Sequence, residues 1–166
     1  MITQEELKLL LDYGPIKGIF IWKERNPDKG GFNKQFAGKV AGTYDDLGYL
    51  RIKINGVQYL AHRLAFLFVK GYMPELVDHK DRNPSNLAWD NLREATNSQN
   101  IMNSAARSDN KLGLKNIRIK GNSYQVRIGK NGKSYTKTMK SLEEAIEWRD
   151  TKLAELHQEF ANNGED

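Results

Sequence analysis

The chain is 166 residues long, 39% hydrophobic and 28% charged, with a formal net charge of +5 and no cysteine. Such a composition describes a folded protein with room for one ordinary domain or two very small ones, and it excludes a disordered polyelectrolyte. Disulfides and thiolate zinc sites are excluded, the histidines His62, His79 and His157 are too few for a structural zinc without heavy carboxylate help, and no apolar run is long enough to span a bilayer.

The amino terminus, Met1-Ile2-Thr3-Gln4-Glu5-Glu6, is acidic where a signal peptide would be basic, so the expected compartment is the cytoplasm. Thr3 and Glu6 form a capping box, Leu7, Leu10 and Leu11 give one face of a short helix, and Gly14-Pro15 ends it. Strands are predicted at 19–22, 39–42, 49–54 and 57–60, with a loop at Asn26 to Gly31. The Asn55-Gly56 pair between the last two strands is a strong hairpin signal. Ala61 to Lys70 is apolar on most sides and reads as a buried helix stopped by Gly71. His62 near its start has a packing or capping reading ahead of a catalytic one.

A short strand is then predicted at Glu75 to His79, a turn-rich loop at Asp81 to Asn86, and a second strand at Asn91 to Ala95. Thr96-Asn97-Ser98-Gln99 is another capping box, opening a helix that carries Asn100. The unit is ββα. Ser104 to Lys111 reads as a linker. Beyond it, three alternating strands are expected near 114–119, 123–128 and 133–139, joined by Lys120-Gly121-Asn122 and Lys130-Asn131-Gly132. A long helix follows, capped by Ser141 and Glu144 and striped by Leu142, Ala145, Ile146, Leu153, Leu156 and Phe160.

Charge is unevenly spread. Arg107, Lys111, Lys115, Arg118, Lys120, Arg127, Lys130, Lys133, Lys137 and Lys140 face a single acid, Asp109, within residues 107–140. A block of that sign is the electrostatic footprint of a polyanion binder, and its bland counterpart is a solvated basic face.

The residues richest in chemistry lie between Val77 and Asn100. Asp78-His79 is followed twelve residues later by Asn91-Leu92-Arg93, and nine residues after Asn91 by Asn100. A carboxylate and an amide oxygen suit a hard cation such as Mg²⁺ or Mn²⁺, and a neighbouring imidazole can deprotonate water.

On Ala61-His62-Arg63-Leu64, Val77-Asp78-His79, Asn91-Leu92-Arg93 and Gln99-Asn100, residues from about 18 to 103 resemble a phage-type HNH endonuclease, in the form whose final His is replaced by Asn. The lead-in Val40-Ala41-Gly42 with Gly48-Tyr49-Leu50 matches that group as well. On Tyr124 to Ile128 and Ser141 to Ala145, residues from about 112 to 156 resemble the Apetala-type DNA-binding domain of plant ethylene-response factors. Together they resemble free-standing homing endonucleases.

The resemblance implies an α+β chain. A ββα-metal nuclease domain with a strand-rich amino-terminal region spans residues 1–106, and a basic three-strand-plus-helix DNA-binding domain spans residues 107–166. It implies double-stranded DNA as partner, in a bacterial or phage-infected cell. The single Asp-His … Asn … Asn set, with no internal copy, and an apolar helix stripe needed to cover the sheet give the expectation of a monomer that nicks one strand. Asp78 and Asn100 would hold one divalent cation, Mg²⁺ or Mn²⁺. His79 would be the general base, and Asn91 would orient its ring by a hydrogen bond. Lys80 and Arg93 would meet phosphate, as would Lys115, Arg118, Lys120, Arg127, Lys130, Lys133 and Lys137 in the second domain. Asp78 with Asp81 is a competing metal site. Binding without cutting, and single-strand binding through stacking on Tyr124 and Tyr135, are the competing functions.

Overall fold

A computed structural model describes residues 1–28, 30–104, 106 and 109–157. Lys29, Arg107 and Phe160, which figure in the sequence reading, lie outside the described residues. The chain divides into two units, residues 1–94 and residues 95–166. Among the described residues no helix is long and apolar enough to cross a membrane.

The first unit opens with α1 (Gln4–Leu10), whose capping box is complete: Thr3 Oγ1 accepts from Glu6 N–H, and the Glu6 carboxylate accepts from Thr3 N–H. The helix stops earlier than the leucine spacing suggests. Leu11 is extended, and β1 (Leu11–Gly14) pairs antiparallel with β2 (Ile19–Trp22). The alternation of buried Leu11 and Tyr13 with exposed Asp12 and Gly14 has the period of a strand, and pairing with β2 decides the competition with helix. The strand expected at 39–42 reduces to a single bridge between Ile21 and Val40, and a short helix, α2 (Phe32–Phe36), follows the loop.

A three-stranded sheet of β3 (Thr43–Tyr44), β4 (Leu50–Ile54) and β5 (Val57–Leu60) has its hairpin turn at Asn55-Gly56, as the sequence indicates. Directly after it comes α3 (Ala61–Lys70), stopped by Gly71 at φ 84°. Leu50, Ile52 and Ile54 on one face of β4 meet Ala61, Leu64, Ala65 and Leu67 of α3. Leu7, Leu11, Phe20 and Trp22 join them in one core. The last elements of this unit are β6 (Val77–His79) and β7 (Leu92–Glu94), paired antiparallel, with a 3-10 turn at Trp89–Asn91 that takes Asn91 out of the strand expected from 91.

Between those strands the chain is fastened to the β1–β2 turn. Tyr13 Oη donates to Leu87 O at 2.6 Å, and Trp89 N–H donates to Pro15 O at 2.8 Å. Gly18 sits in the left-handed region at φ 66°, and a Cβ there would fall 2.2 Å from the Leu87 carbonyl carbon. Only glycine allows the two backbones this close.

The second unit begins with α4 (Asn97–Asn103), whose capping box between Thr96 and Gln99 is also complete. It continues to a sheet of order β10-β9-β8, made of β8 (Ile117–Lys120), β9 (Ser123–Lys130) and β10 (Lys133–Met139), and closes with α5 (Leu142–His157). Ile117, Val126, Ile128 and Met139 pack against Ala145 and Leu153. The buried positions of α5 are Ala145, Arg149, Leu153 and His157, a four-residue repeat, so a fully buried arginine stands within the apolar stripe.

Replacing Gly18 with Ala should destabilise the first unit by about 1–3 kcal/mol from backbone strain alone, more if the close approach to Leu87 must open. Urea unfolding of the two proteins measures this, and an unchanged midpoint would mean the turn is not held against residues 87–89.

Candidate active site

β6 and β7 bring Asp78 opposite Arg93 and His79 opposite Leu92. Asp78 is 3% exposed, and Arg93 Nε donates to its Oδ2 at 2.7 Å. Arg93, expected at a phosphate, is thus turned onto the motif's carboxylate, because a carboxylate this buried requires a charged partner.

His79 is 6% exposed. Its ring centroid lies 5.2 Å from that of His62 at an interplanar angle of 83°, and 6.0 Å from that of Tyr49. His62 is equally buried, on the first turn of α3, and its ring meets Tyr49 at 5.6 Å. Burial pushes the His79 pKa below its ordinary value, against the opposing pull of Asp81 and Asp78. Burial, together with the neighbouring His79 and Arg63, pushes His62 down to about 4. Both imidazoles are therefore neutral at pH 7, and a neutral imidazole can accept a proton.

Asn91 does something other than orient that ring by direct hydrogen bonding. Its Oδ1 accepts from Asp81 N–H at 3.0 Å, and its Nδ2 donates to Asp81 Oδ1 and Asn86 O, each at 2.9 Å. Asn86 Nδ2 also donates to Asp81 Oδ2 at 2.6 Å, and Asp81 Oδ1 accepts from Asn83 N–H. Asn91 thus clamps the loop, and its link to His79 runs through the charge of Asp81. Burial raises the Asp81 pKa, but the bonds from Asn86, Asn83 and Asn91, with His79 nearby, outweigh it and leave a carboxylate held below its usual range. Lys80 is exposed, with its ammonium donating to Asp90 O at 2.8 Å.

Asn100 belongs to the second unit, exposed on α4, with its N–H bonded to Thr96 O. Among the described residues no three His, Cys, Asp or Glu side chains group as a metal site. The donor chemistry of the first unit nonetheless suits a hard cation, since Mg²⁺ is commonly bound through one or two carboxylates, water and substrate phosphate.

The basic residues of the second unit sort into two sets. Cross-strand register places Arg118, Lys120, Gln125, Arg127, Ser134, Thr136 and Thr138 on the sheet face opposite the one that packs on α5. Arg118, Lys120 and Arg127 are exposed there. Arg118 donates to Gln125 Oε1 through Nε at 2.9 Å, and Arg127 Nε donates to Ser134 Oγ at 3.0 Å. A cleft of about 810 Å³ opens at this face, with Lys111, Arg118 and Arg127 among its lining.

Lys115, expected to meet phosphate, is instead 7% exposed and donates to the carbonyls of Ile101 and Ser104, where α4 ends. Lys130 donates to Leu156 O in the last turn of α5, and His157 Nε2 lies 3.1 Å from Gly129 O. These two ammonium groups satisfy helix-terminal carbonyls. Lys137 lies over the Trp148 ring at 5.8 Å, on the α5 side of the sheet, and Lys133 is exposed opposite Lys130.

Residues 59–102 match the model of a family described as HNH endonuclease, and an HNH endonuclease domain lies there. The match takes in β5 from Tyr59, α3, β6, β7 and most of α4. No curated protein and no solved structure matches the chain. The match of that segment suggests nuclease activity, with DNA as the substrate that the family implies. What the sequence reading passed over is the ring pair Tyr49 and His62 and the clamp on Asp81. The run of Asp, Asn and Ser at 81–86 signalled the clamp. Tyr49 and His62 each stand in a stretch that carries the family resemblance, but nothing in the sequence pairs them, because 49, 62 and 79 are brought together only by tertiary packing.

The lowered His62 pKa has a stability consequence. The unfolded chain takes up the proton near pH 6.5 while the folded one resists to about 4. Stability from this residue is therefore present above pH 6.5 and lost as pH falls through that window, by about 2 kcal/mol at pH 5. Urea titrations at pH 7.5 and 5 should show the loss, and His62→Phe should reduce it.

Proposed function

We propose that this protein is a divalent-cation-dependent DNA endonuclease of the HNH homing type that hydrolyses phosphodiester bonds and nicks one strand of duplex DNA. The observation that carries this reading is the buried His79 beside the buried Asp78 carboxylate, inside the segment that matches the HNH family. His79 accepts the proton of the attacking water. Asp78 holds the cation, with Asn100 assigned as the amide ligand on the spacing of the motif. The cation, when bound, supplies neutralisation of charge on the leaving 3′ oxygen. Asp81, fixed by Asn91 and Asn86, lends negative charge that favours protonated His79 once the proton has arrived. The open face of the second sheet, with Arg118, Lys120 and Arg127, meets the DNA backbone, and the resemblance to the Apetala-type domain supports that choice of face. With one copy of the motif per chain, a monomer cuts one strand at a time.

The Asp78–Arg93 ion pair favours one alternative, binding without cutting, because a guanidinium already neutralises the proposed metal carboxylate. Plasmid cleavage separates the two. With Mg²⁺ or Mn²⁺, supercoiled DNA should pass to open circles well before linear product forms, and chelator should stop the reaction. His79→Ala should lose about 10²–10⁴ in rate while still binding DNA, and Asp78→Ala should lose activity that added Mg²⁺ does not restore. Metal-independent retention of intact plasmid by the wild type would favour binding alone.

The division of the basic residues gives a separate measurement. Replacing Arg118 and Arg127 with Ala should lower the slope of log affinity against log salt by about 0.9 for each lost phosphate contact. Lys115→Met should instead weaken the fold and leave the slope unchanged. Equal effects from both would remove the distinction between the face and the helix-end lysines.

A further inference from the structure

A general base must present its nitrogen along one direction, and a displacement of about 1 Å can cost on the order of 10²-fold in rate. The ring torsion of a histidine is broad and roughly two-fold, so the strand that carries it does not set the ring plane. Something else must. His79 ends β6, a strand of three residues, and two rings from separate elements stand against its imidazole.

We propose that His62 is a positioning residue for His79, the Tyr49–His62 ring pair forming a cradle that fixes the plane of the His79 imidazole. The proposal rests on His79 being the base. Each ring is within 6.0 Å of both others, centroid to centroid, and the angles of 83°, 70° and 60° are edge-to-face or tilted rather than stacked. In that arrangement, rotation of the His79 ring about its own torsion would drive its edge into one wall or the other.

The cradle is tied into the rest of the unit at both walls. His62 is the second residue of α3, between the fully buried Ala61 and Leu64 of the main core. Tyr49 leads into β4, and its N–H bonds Asp45 Oδ1 at 2.9 Å. Neutral His62 also adds no positive charge next to a base that is about to become an imidazolium.

The test compares His62→Ala, His62→Phe and wild type in full-length protein, with thermal melts confirming that each is folded at the assay temperature. His62→Ala should lower kcat roughly 10- to 100-fold with KM and DNA affinity unchanged, and His62→Phe, which restores a flat ring, should recover most of the loss. Imidazole NMR of ¹⁵N-histidine-labelled protein without metal or DNA gives a readout apart from activity. The His79 ring signals should be sharp in wild type and His62→Phe, and exchange-broadened or shifted in His62→Ala. Should His62→Ala not fold, Tyr49→Ala opens the other wall and carries the same comparison.

Unchanged kcat and unchanged His79 signals in folded His62→Ala would overturn the proposal and leave His62 a core filler. A His62→Phe enzyme as slow as His62→Ala would overturn it too, since the nitrogen atoms of His62 would then matter. If His79→Ala cleaves normally the base assignment fails, while the His79 signals still decide whether the cradle holds the ring.

Discussion

The Asp78–Arg93 ion pair is the constraint on which the site depends. Two short strands of three residues each cannot hold a register by length, and their few ladder bonds would allow a slip. A guanidinium opposite a buried carboxylate fixes it, since any other register would bury two uncompensated charges. Removing one partner of such a pair costs about 3–5 kcal/mol. The register then decides that His79 stands opposite Leu92 and meets the rings of His62 on α3 and of Tyr49 just before β4, and that Asn91, one residue before β7, reaches Asp81. The same pair sets a condition on the chemistry proposed for Asp78, because a cation there would meet a carboxylate already paired with Arg93 and would have to share it.

Local patterns in the chain carried much of this. The capping boxes at Thr3 and Thr96, the Asn55-Gly56 hairpin, the helix from Ala61 to Lys70 and the three carboxy-terminal strands are all encoded within a few residues, and the structure has them. The elements that differed depend on partners far along the chain. Leu11 to Gly14 is strand because Ile19 to Trp22 pairs with it, and Trp89 to Asn91 is a 3-10 turn because the clamp on Asp81 and the bond to Pro15 bend it. In the candidate site, residue type and spacing single out Asp78 and His79, and the structure places them side by side, buried, on β6. The roles of Arg93, Asn91 and Lys115 could not, because a charged or amide side chain in a sequence gives no sign of whether it faces solvent or a buried carbonyl.

The second unit shows why a count of basic residues overstates a nucleic-acid surface. Lysines at 115 and 130 neutralise the negative ends of two helices, and Lys137 lies on an indole. What remains for a polyanion is a smaller group on one face of the sheet, in which arginines are already aimed by Gln125 and Ser134. Side chains held in advance lose less freedom on binding, so a few oriented guanidinium groups can matter more than many mobile ammonium groups.

The fastening of the β1–β2 turn to residues 87–89 bears on what counts as a transferable unit. The bond from Tyr13 to Leu87 spans 74 positions of the chain, so the course of the loop that leads into Asn91 depends on the amino-terminal hairpin to which it is tied. Contacts of such long sequence separation slow folding and make it depend on the whole unit. The segment recognisable as a family, 59–102, contains neither half of the hairpin. Grafted alone onto another scaffold, it would bring Asp78, His79 and Asn91 without the strap that shapes the loop between them.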